Sequence, residues 1–190
     1  MAVTLGTIKT KTRNILGDIS LTGQDNYTYE NSSIFTLSES NVITVSSVYV
    51  NGVELDTSDY SFDSSTNEIT ITASLTTGDT VTINYTYYSN FSDDEINAAI
   101  KSAIFYISVN NYSDWQVMSD DGIYPEPEIR EQNLIAIISS LILEPDNKSY
   151  RLPDLSVIAP SDDPLPIKIS KIIGTFKKNS TGIFEILNDT

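Results

Sequence analysis

The 190-residue chain has no cysteine and no histidine. Without cysteine there is no disulfide framework, no thiolate metal site, no thiol nucleophile and no redox cycle. Without histidine the commonest general base near neutral pH is missing, and with it every Ser-His-Asp arrangement. Chemistry would be left to carboxylates, tyrosine, lysine or a divalent ion held by oxygen. Long apolar runs are also missing. The longest, Leu134 to Leu143, is broken by Ser139 and Ser140 and falls well short of the ~20 residues of a membrane span. The first fourteen residues carry Lys9, Lys11 and Arg13 but no apolar stretch of the secretory kind. These absences predict a soluble, non-enzymatic protein without a cofactor, made inside a cell.

Positive charge is scarce and uneven. Eleven Lys and Arg stand against 26 Asp and Glu, a net charge of −15. From Asn14 to Ile100 there are thirteen acids and no base, whereas Pro164 to Lys178 carries Lys168, Lys171, Lys177 and Lys178 and no acid. An acidic middle repels a nucleic-acid backbone, so tight DNA binding is disfavoured. Acids spread over a sheet also keep it soluble and discourage sticky edges.

With 39% hydrophobic residues the chain can form a packed core. Leu5, Ile8, Ile15 and Leu16 fall near one face of a first helix, with Thr4 placed to cap it, Gly17 to end it, and Lys9, Lys11 and Arg13 facing away. Residues 18–33 have no clear period and read as a connecting loop. From Ile34 to Tyr88 the period becomes two, with Asn51-Gly52 as a hairpin turn and Gly78-Asp79 as a second turn before a long strand from Val81. Ser92 and Glu95 match a capping box, in which serine satisfies a free backbone donor and glutamate reaches back to the cap. Ile96, Ala99, Ile100, Ala103, Ile104 and Ile107 then mark the buried face of a second helix. The loop from Asn111 to Pro125 carries Trp115 as its anchor. A third helix opens near Pro127 and runs to Glu144. Its second half is apolar almost all round and has to be covered by other helices or neighbouring copies.

Five prolines between Pro145 and Pro166 read as a semi-extended linker. Beyond it, Ile167, Lys168, Ile169, Lys171, Ile172, Phe176, Lys177, Lys178, Ile183 and Phe184 form an apolar, lysine-bearing segment. That segment has the pattern of a hairpin that docks either on its own body or on a partner. The predicted fold class is α+β: a small helical bundle with an interposed antiparallel β domain and an extended C-terminal arm. Its divisions are residues 1–33, N-terminal helix and connecting loop; 34–90, the β domain; 91–152, the bundle; and 153–190, linker and docking arm.

The candidate chemical sites have bland alternatives. Asp93, Asp94 and Glu95 suit the positive end of a helix, and Asp120-Asp121-Gly122 lacks the alternating ligands of a calcium loop. Tyr85, Tyr87 and Tyr88 offer either a sugar-stacking surface or ordinary cross-strand packing.

Thr4 to Asp18, with Leu5, Ile8, Arg13, Ile15, Leu16 and Gly17, and Phe91 to Ile104, with Ser92, Asp93, Asp94, Glu95, Ile96, Ala99 and Ile100, together resemble the head-tail connector (adaptor) proteins of tailed bacteriophages. The resemblance covers the first two helices only. It implies a virion protein of the neck, copies arranged in a ring, twelve in that family, beneath the portal protein and contacting other neck or tail proteins. The ring would continue a channel through which DNA passes without specific binding, and the C-terminal arm would grip the portal. Residues 34–88 depart from the simplest members by interposing a sheet. The alternatives are a baseplate, fibre or capsid-decorating subunit, in which the sheet is the main interface, and a carbohydrate-binding module using Tyr85, Tyr87, Tyr88 or Trp115.

Overall fold

The computed structural model describes residues 3–146, 149–152, 155–158 and 163–178. In chain order the helices and strands are α1 (Leu5–Leu16), β1 (Ser20–Thr28), β2 (Ile34–Thr36), β3 (Val42–Val50), β4 (Val53–Glu54), β5 (Tyr60–Asp63), β6 (Glu68–Ile71), β7 (Thr80–Tyr88), α2 (Asp93–Val109), β8 (Gln116–Val117), β9 (Ile123–Tyr124), α3 (Ile129–Leu143), β10 (Ser149–Leu152), β11 (Leu155–Ile158) and α4 (Leu165–Lys178). The fold is α+β, and every sheet is antiparallel among the described residues. The chain divides into two compact units, one of Met1–Gly17 with Asp93–Thr190 and the other of Asp18–Ser92.

In the helical unit, α1 starts and stops where its caps dictate. The Thr4 side chain accepts from the Thr7 N–H, and Gly17 takes the left-handed conformation (φ 69°) that ends the helix. Helices α1, α2 and α4 pack on α3, and Leu134, Ile135, Ala136, Ile137, Ile138 and Leu141 are all fully buried. The all-round apolar half of α3 is therefore covered from within the chain. Trp115 is buried, ahead of the small β8–β9 hairpin, and its ring lies beside Tyr112. No helix among the described residues is long and apolar enough to cross a membrane.

The β unit has a four-stranded sheet in the order β1-β7-β3-β4 and a three-stranded sheet in the order β2-β6-β5. Phe35, Leu37, Val48, Ile69, Ile71, Val81, Ile83 and Tyr85 from both sheets form one core. Asn51 (φ 50°) and Gly52 (φ 80°) both adopt the positive φ that a two-residue hairpin turn requires. The Asn51 amide also bonds Asp79 (2.7 Å) and accepts from the Thr80 N–H (2.9 Å), which fastens the two neighbouring turns.

Three segments differ from expectation. Residues 18–33 are not a plain connecting loop: β1 runs nine residues in register with β7. The proline-rich linker carries the β10–β11 hairpin. The hairpin predicted for 167–187 is instead helical over Leu165–Lys178. Ile169, Ile172, Ile173 and Phe176 recur at helical spacing and are buried together. Pro166 sits in the first turn of α4, where its missing N–H costs nothing.

Candidate functional site

Eight of the ten predicted docking residues lie on α4, and the structure buries four of them, Lys168, Ile169, Ile172 and Phe176. Ile169, Ile172 and Phe176 are buried in the helical unit, and Ile167 remains exposed. The lysines are engaged within the chain. Lys168 Nζ donates to the Pro145 carbonyl (2.8 Å), Lys177 Nζ to the Asn110 carbonyl (2.6 Å), and Lys171 pairs with Asp163 (2.8 Å). Arg130 of α3 completes the attachment, with Nη2 donating to the Phe176 carbonyl (2.6 Å) and its guanidinium lying over the Phe176 ring. Of the two docking alternatives open in the sequence, α4 takes its own body. Ile183 and Phe184 lie outside the described residues, as does the side chain of Lys178.

The basic residues of α1 do not face away from the bundle. Arg13 is buried and its Nη2 reaches Asp93 (2.7 Å), which also accepts from Lys9, while Lys11 Nζ donates to Asn133 Oδ1 (2.9 Å) on α3. Asp93 opens α2, directly after Ser92, so its charge serves the positive helix end and the two cations of α1 at once. Burial pushes the Asp93 carboxyl up, but the hydrogen bonds and charges of Lys9 and Arg13 together hold it below the usual range. Glu95 and Ser92 stand at the predicted capping positions, one on either side of the helix start.

The β unit contains ten acids and no base. Several of the acids are turn fixtures. Asp56 accepts from the Ser58 N–H (3.1 Å), Asp63 from the Ser65 hydroxyl (2.6 Å) and N–H (2.8 Å) and Asp79 from the Thr76 N–H (2.7 Å), and these bonds hold all three carboxyls below the ordinary range. Among the described residues no group of three or more carboxylates is placed to hold a metal ion.

One polar cluster was not found from sequence. Asp25, on the inner side of β1, accepts from the Ser38 N–H (2.7 Å) and Ser38 Oγ (2.6 Å), and the Tyr27 and Tyr85 hydroxyls lie at 3.1 and 3.2 Å. Burial raises the Asp25 carboxyl, but the donors outweigh it and leave it lowered; Tyr27 and Tyr85 are raised, by burial first and then by the Asp25 charge. An ionised carboxylate held by these four donors, two of them protonated phenols, is a fastening for the β2–β3 connection and a poor general base. Its sequence signal was Gly23, two residues before Asp25. A β-carbon there would meet the Tyr85 ring at 2.5 Å, so the glycine marks the ring's close approach.

The tyrosines considered for sugar stacking separate. Tyr85 is buried in the core, Tyr87 packs against it, Tyr88 is half-buried, and Trp115 is enclosed in the helical unit. The outward face of the sheet instead carries polar side chains, with Gln24 bonded to Asn84 (2.8 Å), Asn84 to Ser47 (3.0 Å) and Thr82 to Asn26 (2.8 Å).

No protein-family model matches the chain, and no curated protein matches it at a significant level.

Proposed function

We propose that the chain is a structural subunit of a tailed-bacteriophage virion, a head-tail connector whose copies form a ring beneath the portal and extend the DNA channel. The observation that carries this reading is the way the two family-like segments come together. Helices α1 and α2 are separated by 76 intervening residues, 17–92, yet belong to one helical unit joined by Asp93 with Lys9 and Arg13. In this reading the sheet is an insertion between them, added to a bundle like that of the simpler connectors. The absence of histidine and cysteine removes the usual catalytic means, and Asp56, Asp63, Asp79, Asp93 and Asp163 are engaged in turns and ion pairs. Like charge on the β unit, if turned toward a channel, would repel the DNA backbone and let it slide without specific contacts.

Portal docking in this reading falls to the segment beyond α4, with Ile183 and Phe184, because Lys168, Lys171 and Lys177 of α4 are engaged and Ile169, Ile172 and Ile173 are buried within the chain. Exposed Phe105, Val109, Ile129 and Ile167 offer apolar surface on the helical unit for neighbouring copies. The fibre or baseplate alternative needs a predominantly β subunit, and four helices weigh against it. The carbohydrate reading loses Tyr85 and Trp115 to the interior. The test is electron microscopy of the purified chain mixed with a portal assembly. Rings seated on the portal support the connector, and portals left bare beside the unbound chain refute it.

A further inference from the structure

Strand β1 ends the four-stranded sheet, and among the described residues no strand pairs with its outer edge. Tyr29 N–H donates to the Asp79 carbonyl and Gly78 N–H to Tyr29, while on the opposite side of β7 Tyr88 N–H donates to Asn41 and Asn51 N–H to Thr80. Even-numbered residues of β7 therefore bond β3, and odd-numbered ones bond β1. Through the register, Leu21, Gly23, Asp25 and Tyr27 are the residues of β1 that bond β7. The backbone N–H and C=O groups of Ser20, Thr22, Gln24, Asn26 and Thr28 point away, and among the described residues no hydrogen bond reaches them.

Sheet edges of this length are normally guarded by proline, bulges, lysine or brevity. The other edges here are guarded. Strand β3 carries two register shifts and is capped at one end by β4, and the second sheet ends in strands of three and four residues. Strand β1 has nine residues in unbroken register, no proline and no lysine, and its single acid is turned inward to Ser38.

We propose that β1 is a docking edge for a second copy of this chain, pairing antiparallel with the same strand across a two-fold axis at Gln24. The sequence of β1 is complementary to its own reverse in this register. Gln24 faces Gln24, Thr22 faces Asn26 and Ser20 faces Thr28 as hydrogen-bonded pairs, so all five outward N–H groups and all five carbonyls find partners. On the inner face Leu21 meets Tyr27, and Asp25 meets Gly23 rather than another acid. Shifting the axis to Asp25 sets two carboxylates opposite each other, and shifting it to Gly23 shortens the ladder. A two-fold contact is the same patch on both copies and lies outside the head-to-tail contacts of a cyclic ring, so it joins free chains or pairs ring with ring. The inference goes beyond the connector reading and stands or falls separately from it.

The test uses the full chain and three variants in sedimentation over a concentration series, with amide exchange read at single residues. Gln24→Pro removes an outward N–H and none that bonds β7, a position at which edge strands tolerate proline. It is expected to weaken the pairing at least about tenfold. Q24K places like charges across the axis and weakens the pairing, and mixing Q24K with Q24E restores it. In the unaltered chain the Thr22, Gln24 and Asn26 amides become protected as concentration rises, while Leu21 and Tyr27 are protected throughout. Free exchange of the three outward amides at every concentration, or self-association indifferent to both Q24P and Q24K, overturns the proposal. Rings that persist in Q24P leave the connector reading intact.

Discussion

Replacing Gly23 by alanine puts a methyl group where the Tyr85 ring already lies. The new β-carbon would stand 2.5 Å from Tyr85 Cε2 and 2.6 Å from Cζ, about an ångström inside ordinary contact. The ring is fully buried, so it cannot move aside without disturbing the core and its bonds to Asp25 and Ser38. Overpacking of this kind costs about 1–3 kcal/mol, and a displaced phenol adds on the order of 1 kcal/mol for its hydrogen bond. Against this, alanine narrows the unfolded ensemble by about 0.4–1 kcal/mol. The net expectation is a loss of roughly 1–3 kcal/mol, confined to the β unit. Seven of the eleven tyrosines lie in the β unit, so denaturant unfolding followed by tyrosine near-ultraviolet dichroism follows chiefly that unit, and fluorescence of Trp115, the sole tryptophan, reads the helical unit as an internal control. In a Tyr85→Leu background the same substitution is expected to cost markedly less, since the clashing ring is gone. A neutral or stabilising Gly23→Ala, or an equal cost in both backgrounds, refutes the reasoning.

Acid should loosen the β unit first. Asp25, Asp56, Asp63 and Asp79 all have folded-state values below their unfolded 3.8, so their stabilisation is complete above that value and is lost as pH falls through the lowered ones. Tyrosine dichroism at about 0.15 M salt, where repulsion among the acids is screened, is expected to hold above about pH 4 and fall below it; a flat response to pH 2 contradicts this. Asp93→Ala weakens the compensation of the buried Arg13 charge and should cost the helical unit roughly 1–3 kcal/mol, a figure reduced by the exposure of Asp93 itself; unchanged Trp115 unfolding argues against it. A chain ending at Lys178 should keep the stability of the full chain, whereas one ending at residue 152 exposes the face of α3 under Ile169, Ile172 and Phe176 and unfolds in milder denaturant. Equal stability of the two truncations would mean that α4 contributes nothing to the bundle.

Much of the fold was legible because local chemistry and tertiary packing agree. Thr4 and Gly17 bound α1, Asn51-Gly52 turns the hairpin, and Trp115 anchors its loop, each for a reason contained in a few neighbouring residues. Strand β1 was not legible because its inner positions are Leu21, Gly23, Asp25 and Tyr27, so a polar cluster interrupts the apolar alternation that identifies a strand. Helix α4 was misread because isoleucine favours strands, although Ile169, Ile172, Ile173 and Phe176 keep helical spacing. The arm's partner was not legible for a related reason: apolar spacing says that a surface is covered and does not say by what. The ion pairs of Lys9 and Arg13 with Asp93 join residues eighty or more positions apart, and no local pattern records them.

The most direct test of the connector account is capture of the portal subunit, identified by mass spectrometry from a lysate of phage-producing cells, using the full chain and the chain ending at Lys178. The account predicts that the full chain retains the portal subunit and that the shortened chain, though folded, loses it. Capture of fibre or baseplate proteins in place of the portal, or of no virion protein by either chain, would contradict it.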